Sequence, residues 1–291
     1  MSGIAITGYA SLDHVAMLDG IPRPGRTTRI IDRPANAWPR LGGSPAYVAS
    51  ALVEGGILDA YPVSWIGEDD AGHAYRAQLH DKHVPVDGLV VVEGARTPVA
   101  ILAYEPDGGC LCLYHPGMPQ GLRLADRQKR LISRADWLCV TVGPPEATRD
   151  ALDSMRDATR LAWVVKDDPR ALPHELAMQL AARADLICFS RAESAFLGAV
   201  LATVDAFRPG RILIETHGST GASVTRDGET HFVATDAMDI ADPTGAGDTF
   251  AGGVLAALAK GETDPVSIVE AGHRAARALL ADRRATGTGS V

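Results

Sequence analysis

Two aspartates flanking a glycine-rich turn are the residues of this sequence best suited to chemistry. The segment reads ADPTGAGDTFAGG over residues 241–253, with Asp242 and Asp248 six positions apart. Glycine lets the backbone approach an anion without a side chain in the way, and free N–H groups at a helix start bind phosphate. We therefore expect the intervening backbone to form an anion hole. Its donors would be Gly245, Ala246 and Gly247.

Asp248 follows this predicted anion hole directly and would stand in the first turn of a helix. A carboxylate beside a phosphate is electrostatically unfavourable, which favours a role in abstracting a proton from an acceptor hydroxyl. A base next to an anion hole suits phosphoryl transfer, in which catalysis is mostly positioning and stabilisation of charge. The alternative is structural: Asp248 caps the helix and the glycines only turn the chain.

Two common nucleotide-binding loops are excluded by the spacing of the glycines. No Gly-Lys-Ser/Thr follows them, so the chain has no P-loop lysine at this point. The first predicted strand runs into GYASLD, which lacks the G-x-G-x-x-G spacing of a dinucleotide-binding domain.

The elements that must position this turn alternate along the chain. Short apolar runs such as 60–67 and 184–190 predict buried strands, and helical patterns such as 44–56 lie between them. Alternation of this kind indicates βαβ units and a mainly parallel sheet with helices on both faces, which is a three-layer α/β/α sandwich. We expect residues 1–291 to form one such domain.

Two regions interrupt the alternation. Residues 14–40 are rich in proline and glycine, and residues 88–115 read as three strands joined by turns, with PDGG as a hairpin signal. We group them as a small β-sheet that forms a lid over the site. The alternative is an ordinary β-appendage that serves oligomerisation, and the two roles can coexist.

Composition limits the partners and the location. The formal net charge of −8 and the pI of about 5.6, without a basic stripe, argue against nucleic-acid binding. The N-terminus lacks the pattern of a signal peptide and no run has the length of a membrane span, so we expect a cytoplasmic protein. Four cysteines without a CxxC pair predict reduced thiols.

The motifs, taken in order, resemble those of the ribokinase-like, or PfkB, carbohydrate kinases. DPTGAGDTFAGG is similar to the C-terminal signature of that family, and LGGSPAYVASALVEGG (41–56) is similar to its N-terminal glycine motif. WIGEDDAG resembles the element after the second strand, and TPVAILAYEPDG falls where lid strands are expected. The resemblance covers essentially the whole chain and implies transfer of a phosphoryl group from MgATP to a primary hydroxyl of a sugar, sugar derivative or nucleoside.

The resemblance also implies a role for each matching residue. Asp248 would be the general base and the 245–247 backbone the anion hole. Substrate contacts would come from Asp13, Gly42, Gly43 and Tyr47. Nucleotide contacts would come from Thr216, Gly218, Gly272 and Ala276. Glu193 would organise Mg²⁺ through water, and Asp242 would lie near a loop that binds a monovalent cation such as K⁺ in many members.

Three positions depart from the family pattern. Tyr47 stands where an asparagine is usual, and its ring would either stack on a ligand or face the core. Ser190 replaces the asparagine of the N-x-x-E element, and KDDPR (166–170) matches a D-x-N-x-R segment only loosely. These departures leave the catalytic loop intact and affect the usual ribose contacts.

The substrate is therefore expected to be a small sugar or sugar derivative, with a nucleoside as the alternative. Trp38, Tyr47 and Tyr104 could form an aromatic wall for a base, which favours the nucleoside. A protein that kept the fold but binds its ligand without turnover is a third hypothesis. Exposed lid strands further suggest a homodimer formed through the lid.

Overall fold

A computed structural model describes residues 3–204, 208–238, 240 and 242–287. The strands, in chain order, are β1 (Ile4–Thr7), β2 (Ser11–Leu18), β3 (Ile30–Asp32), β4 (Arg40–Gly42), β5 (Ala60–Gly67), β6 (Leu89–Val92), β7 (Val99–Tyr104), β8 (Cys110–His115), β9 (Trp137–Val140), β10 (Arg160–Val164), β11 (Leu186–Ser190), β12 (Ile212–Thr216), β13 (Gly221–Arg226) and β14 (Glu229–Ala234). The helices are α1 (Ser44–Glu54), α2 (Asp70–Asp81), α3 (Asp126–Arg134), α4 (Pro145–Ser154), α5 (His174–Arg183), α6 (Ser194–Leu201), α7 (Ala246–Ala259) and α8 (Pro265–Gly287).

The main sheet contains nine of the described strands, in the order β14-β13-β12-β11-β10-β9-β1-β5-β6. The strands from β12 to β6 are parallel, and β13 and β14 add an antiparallel edge. Parallel strands are usually covered on both faces, which explains why their sequences are continuously apolar. Their carboxyl ends meet along one edge of the sheet, where open α/β sheets bind ligands.

Two hydrophobic cores cover the two faces of the main sheet. Ile4 and Ile6 of β1 pack into one core with helices α1, α2, α7 and α8, while Ala5 packs into the other with helices α3 to α6. This arrangement confirms the predicted three-layer sandwich. None of the described helices combines the length and hydrophobicity needed to cross a bilayer.

A second sheet lies apart from the first, as the sequence predicted. Its strands follow the order β3-β2-β7-β8, with β4 also paired to β2. Its boundaries differ from the expected ranges, because β2 begins at Ser11 and β6 belongs to the main sheet beside β5. Leu89 of β6 is fully buried in the hydrophobic core on one face of the main sheet. This burial favours the pairing of β6 with β5 in the main sheet. The 88–115 segment therefore supplies two strands of the second sheet and not three.

Candidate active site

The glycine-rich turn leads directly into α7, as the sequence predicted. Gly245 immediately precedes the helix with a φ of 76°, in the left-handed region that favours glycine. A Cβ on Gly245 would lie 2.5 Å from the Tyr47 ring, so the ring and the turn are in direct contact. A Cβ on Gly247 would meet no atom within 4 Å, so this residue faces open space. The start of α7 is thus an open backbone cradle of the kind that binds anions.

Asp248 lies in the first turn of α7, next to this cradle. Its Oδ1 atom is buried and has no hydrogen-bond partner among the described residues. Burial raises the pKa of the Asp248 carboxyl above its ordinary value of 3.8, while the positive charge of Lys166 and a hydrogen bond from Ser44 oppose the shift. A buried polar atom without a partner is rare in folded proteins, so Oδ1 beside the cradle is available to accept a hydrogen bond from a ligand.

Glu193 lies near Asp248 at the carboxyl end of β11 and is buried. The backbone N–H of Ser190 donates to Glu193 Oε2 at 2.9 Å, and the Ser190 hydroxyl donates to the same oxygen at 2.5 Å. Ser190 therefore holds the acid in place at the position where the family has an asparagine. Lys166 Nζ lies 4.0 Å from the other oxygen of Glu193.

Lys166 is a site residue that sequence reasoning missed. It lies two residues after the end of β10, its side chain is half exposed, and its charge acts on both Asp248 and Glu193. The available signals were its position at the sheet edge and the loosely matching KDDPR segment that it begins. It adds a positive charge where a phosphate would carry negative charge.

Asp13 and the Gly42-Gly43 pair meet where strands β2 and β4 of the second sheet lead into the main body. Asp13 on β2 is buried, and the Ser11 hydroxyl donates to its Oδ1 at 2.8 Å. A Cβ on Gly42 would lie 2.1 Å from this carboxylate, so the bare backbone at Gly42 makes room for it. Burial raises the pKa of Asp13, which the Ser11 hydrogen bond and the charge of Arg40 partly offset.

Asp242 belongs to a buried polar network under the turn. Arg40 Nη1 lies 2.5 Å from Asp242 Oδ2, and the Tyr104 hydroxyl donates to Asp242 Oδ1 at 2.9 Å. The same hydroxyl is hydrogen-bonded to the Thr244 side chain. Burial alone would raise the pKa of Asp242, but the hydrogen bond and charge of Arg40 outweigh it and lower the pKa. The network ties strands β4 and β7 of the second sheet to the turn.

Two predicted contact residues lie inside the protein. Tyr47 is buried beneath Gly245, and its hydroxyl accepts a hydrogen bond from Arg283 Nη2 at 3.2 Å. Gly272 is buried between α8 and α7, where a Cβ would lie 2.7 Å from the Phe250 ring. The structure thus places Tyr47 beneath the turn and Gly272 against α7, and their contacts with a ligand stay predictions.

The remaining predicted nucleotide contacts share one cavity of about 400 Å³. Its walls include the end of β12, the start of α7 and the middle of α8. The predicted residues among its lining are Thr216, Gly218, Ala246, Gly247 and Ala276. Phe250 and His273, whose ring centroids are 5.3 Å apart, add an apolar wall. The cavity opens at the anion cradle, which suits a molecule with a flat apolar part and a phosphate chain.

Comparison with known proteins decides the family. The profile of the pfkB family carbohydrate kinases matches residues 1–288. The chain belongs to this family. This pfkB kinase is 28% identical over 258 residues to the ATP-dependent ribose-1-phosphate kinase of Halopiger xanaduensis, covering 88% of this chain and 84% of that protein.

Other similar proteins agree with this assignment. The pfkB kinase is 24% identical over 264 residues to the nucleoside kinase of Methanothermobacter thermautotrophicus, covering 87% of this chain and 82% of that protein. Its fold matches that of the Cryptococcus neoformans ribokinase in complex with ADP, with a TM-score of 0.79 and 19% identity, covering 96% and 94% of the two chains. The chain is thus an ATP-dependent kinase of sugars or nucleosides.

Proposed function

We propose that this kinase transfers the γ-phosphoryl group of ATP to a primary hydroxyl of a small sugar or sugar derivative, with Asp248 as the general base. The observation that carries the proposal is the Oδ1 of Asp248 beside the cradle at the start of α7, which is buried and has no partner within the described part of the chain. An acceptor hydroxyl would donate to this oxygen and release its proton to it as the new O–P bond forms, while the bond from the γ-phosphorus to the bridging oxygen breaks and ADP leaves. The whole chain would act as one kinase domain with its lid.

The anion hole in this proposal is the backbone of residues 245–247. The open space in front of Gly247 and the positive end of the α7 dipole support it. These N–H groups would stabilise charge on the transferred group, which is the main need of phosphoryl transfer. Lys166 would add a positive charge from the opposite wall.

ATP would occupy the 400 Å³ cavity, with the base against Phe250 and His273 and the phosphates toward Gly247. When bound, Mg²⁺ would neutralise part of the negative charge of the phosphates. Among the described residues no group of three or more His, Cys, Asp or Glu side chains could hold a metal. Magnesium commonly needs only one or two carboxylates besides phosphate oxygens and water, and Glu193 fits that arrangement.

The sugar would lie between Asp13 and Asp248, under the lid. Asp13 would accept hydrogen bonds from sugar hydroxyls, and the Gly42-Gly43 backbone would allow close approach. Two residues of the expected aromatic wall, Tyr47 and Tyr104, offer no exposed ring surface to a base. Both are buried, and their hydroxyls are hydrogen-bonded within the protein. This arrangement supports a sugar over a nucleoside.

One observation keeps a nucleoside as the second candidate. Tyr114 on β8 pairs with Ala100, which pairs with Asp13, so the three side chains share a face of the lid. Tyr114 is 46% exposed, and burial together with the charges of Tyr9 and Asp13 raises the pKa of its hydroxyl. Its ring could stack on a nucleobase bound beside Asp13.

A coupled assay of phosphoryl transfer tests the proposal and separates its alternatives. The acceptors would be free pentoses and hexoses, ribose 1-phosphate and a set of nucleosides, with phosphate placement read from the products. We expect a sugar or sugar derivative to have the highest kcat/KM, and the Tyr114→Ala variant to keep it. A nucleoside substrate whose KM rises strongly in Tyr114→Ala would establish the second candidate. Tight binding of an acceptor without any transfer would overturn both and leave a binding protein.

The proposal includes a homodimer formed through the outer face of the lid, and a cytoplasmic location. Ile101 and Leu113 face each other across β7 and β8, opposite to the face of Asp13, and both are exposed together with Leu111. Apolar patches of this kind often mark contacts between proteins.

All four cysteines are free thiols, which suits a reducing compartment.

A further inference from the structure

Arg283 contacts the glycine-rich turn from the last part of α8. Its side chain is only 10% exposed. Nη1 donates to the backbone carbonyl of Asp242 at 3.1 Å and to that of Thr244 at 2.5 Å, and it lies 3.8 Å from Asp242 Oδ1. Nη2 donates to the Tyr47 hydroxyl at 3.2 Å. One buried guanidinium thus binds the turn at two backbone positions and also holds the ring beneath Gly245.

The three oxygens around Nη1, two backbone carbonyls and one carboxylate oxygen, are of the kind that ligate alkali cations. Backbone carbonyls and a carboxylate oxygen replace the hydration shell of such ions in proteins. The resemblance to PfkB kinases implied a K⁺ loop near Asp242, but here the guanidinium already takes the two carbonyls. A second positive charge at the same oxygens would meet repulsion, so the residues present do not fit a potassium ion.

The contact at Thr244 also sets the direction of one anion-hole donor. The carbonyl of Thr244 and the N–H of Gly245 belong to the same planar peptide unit and point in opposite directions. When Arg283 holds the carbonyl on the α8 side, the N–H of Gly245 is turned to the other side. The Tyr47 ring, which Arg283 also contacts, fixes the position of the Gly245 Cα from below.

We infer that Arg283 is a built-in cation that orients the anion hole, and that this kinase needs no monovalent metal ion. The inference depends on the proposed function for the 245–247 backbone. Arg283 is a positioning residue, since it acts through the peptide units of the turn and touches no substrate.

The first test compares salts on the wild-type protein. We expect the same kcat and the same KM for ATP in potassium, sodium and tetramethylammonium chloride at equal ionic strength. We also expect the same melting temperature and the same affinity for ADP in the three salts. Potassium-specific activation, stabilisation or tighter ADP binding would overturn the inference.

The second test removes the charge. Arg283→Gln should lower kcat by up to about 10²- to 10³-fold, the loss that follows removal of one anion-hole donor, because the variant leaves the Gly245 N–H without its orienting contact. Arg283→Lys, which keeps a positive charge, should retain more activity than Arg283→Gln. Arg284, the exposed neighbour on α8, is the matched control, and Arg284→Gln should behave like the wild type. Wild-type kcat in Arg283→Gln, or equal losses in the glutamine and lysine variants, would contradict the role of the charge.

Measurements without turnover keep this inference separate from the proposed function. Failure to phosphorylate any acceptor would overturn the proposed reaction. The salt dependence of melting temperature and ADP affinity, compared between wild type and Arg283→Gln, would still decide the role of Arg283. We expect potassium to stabilise Arg283→Gln and to leave the wild type unchanged, because the variant exposes the vacated carbonyl oxygens to the ion. Equal responses of the two proteins to potassium would overturn the inference.

Discussion

A single carboxylate oxygen, Asp248 Oδ1, is the atom on which the proposed chemistry depends. It is buried and has no partner among the described residues, and burial raises the pKa of its carboxyl. A raised pKa makes the carboxylate a better proton acceptor than an exposed aspartate, because basicity increases with pKa. Burial also disfavours the ionised form, so the Asp248 carboxyl loses its proton only at a higher pH than an exposed aspartate.

The first prediction at this scale is an acid limb in the pH profile of the kinase. Because the base works only when deprotonated, kcat/KM should fall as the pH drops through the raised pKa of Asp248 in the free enzyme. The midpoint should therefore lie above the ordinary value of 3.8 for an aspartate. Circular dichroism at each pH would show whether the fold survives. A profile that stays flat until the protein unfolds would contradict the assignment.

The second prediction distinguishes the two glycines of the anion hole. Gly247→Val should fold normally, since its Cβ meets no atom within 4 Å, but the side chain should obstruct the phosphates and raise the KM for ATP. Gly245→Ala should instead lower the melting temperature, because of its φ of 76° and the Tyr47 ring at 2.5 Å. Thermal unfolding and ATP titration of both variants measure the contrast. Equal effects of the two changes on ATP affinity and stability would contradict this geometry.

At the scale of elements, the Tyr104 hydroxyl and Arg40 join the second sheet to the turn that precedes α7. Tyr104 at the end of β7 donates to Asp242 and is hydrogen-bonded to Thr244. Burial raises the pKa of Tyr104, so the hydroxyl stays protonated as a donor. The lid is therefore attached to the turn that is proposed to hold the phosphate.

The third prediction concerns this attachment. Tyr104→Phe should reduce the free energy of unfolding by about 1.5–3 kcal/mol, the usual contribution of a hydrogen bond to a charged group, and should raise the KM of the acceptor. Urea denaturation and steady-state kinetics measure the two effects. Tyr61→Phe is the control. The Tyr61 hydroxyl also donates to an aspartate, Asp59, but this contact lies at the amino end of β5, away from the turn. A variant at Tyr104 with unchanged stability and kinetics would show that the contact is dispensable.

Much of the architecture could be predicted from the sequence because local patterns determine it. The apolar run 60–67 became β5 with those limits, and the Asp227-Gly228 pair turns the β13–β14 hairpin with positive φ at both residues. The sequence does not decide to which sheet the run at 89–92 belongs, because its partner strand is set by tertiary packing. The run is apolar at all four positions, which is compatible with either sheet.

The site residues within one short motif could be predicted from the sequence, whereas those that come from other elements could not. Asp248 and the glycines occur in one short motif, and the structure places them together at the start of α7. Arg283 reaches the site from α8 and belongs to no motif. Lys166 begins the KDDPR segment, whose match to the family pattern is too loose to indicate a role for the lysine. Tyr47 was ambiguous because the sequence does not specify which side of α1 faces the ligand.

At the scale of the whole molecule, the exposed apolar face of the lid provides the fourth prediction. Leu113→Glu should convert the proposed dimer into a monomer, because a charge would be buried in the contact. Leu58→Glu is the control, since Leu58 is 65% exposed but lies outside the lid. Analytical ultracentrifugation of the three proteins gives the result. A wild-type monomer, or a dimer that survives Leu113→Glu, would contradict dimerisation through this face.

The most direct measurement of the central claim is the activity of Asp248→Asn together with its stability. The ionised carboxylate is buried with an unpartnered oxygen, and its raised pKa means that the folded state disfavours the charge at neutral pH. We expect the variant to melt at the same temperature as the wild type or higher and to bind ATP normally. Its turnover should fall by about 10²- to 10⁴-fold, the contribution of a general base. Near-normal turnover in a folded, ATP-binding Asp248→Asn protein would contradict the account.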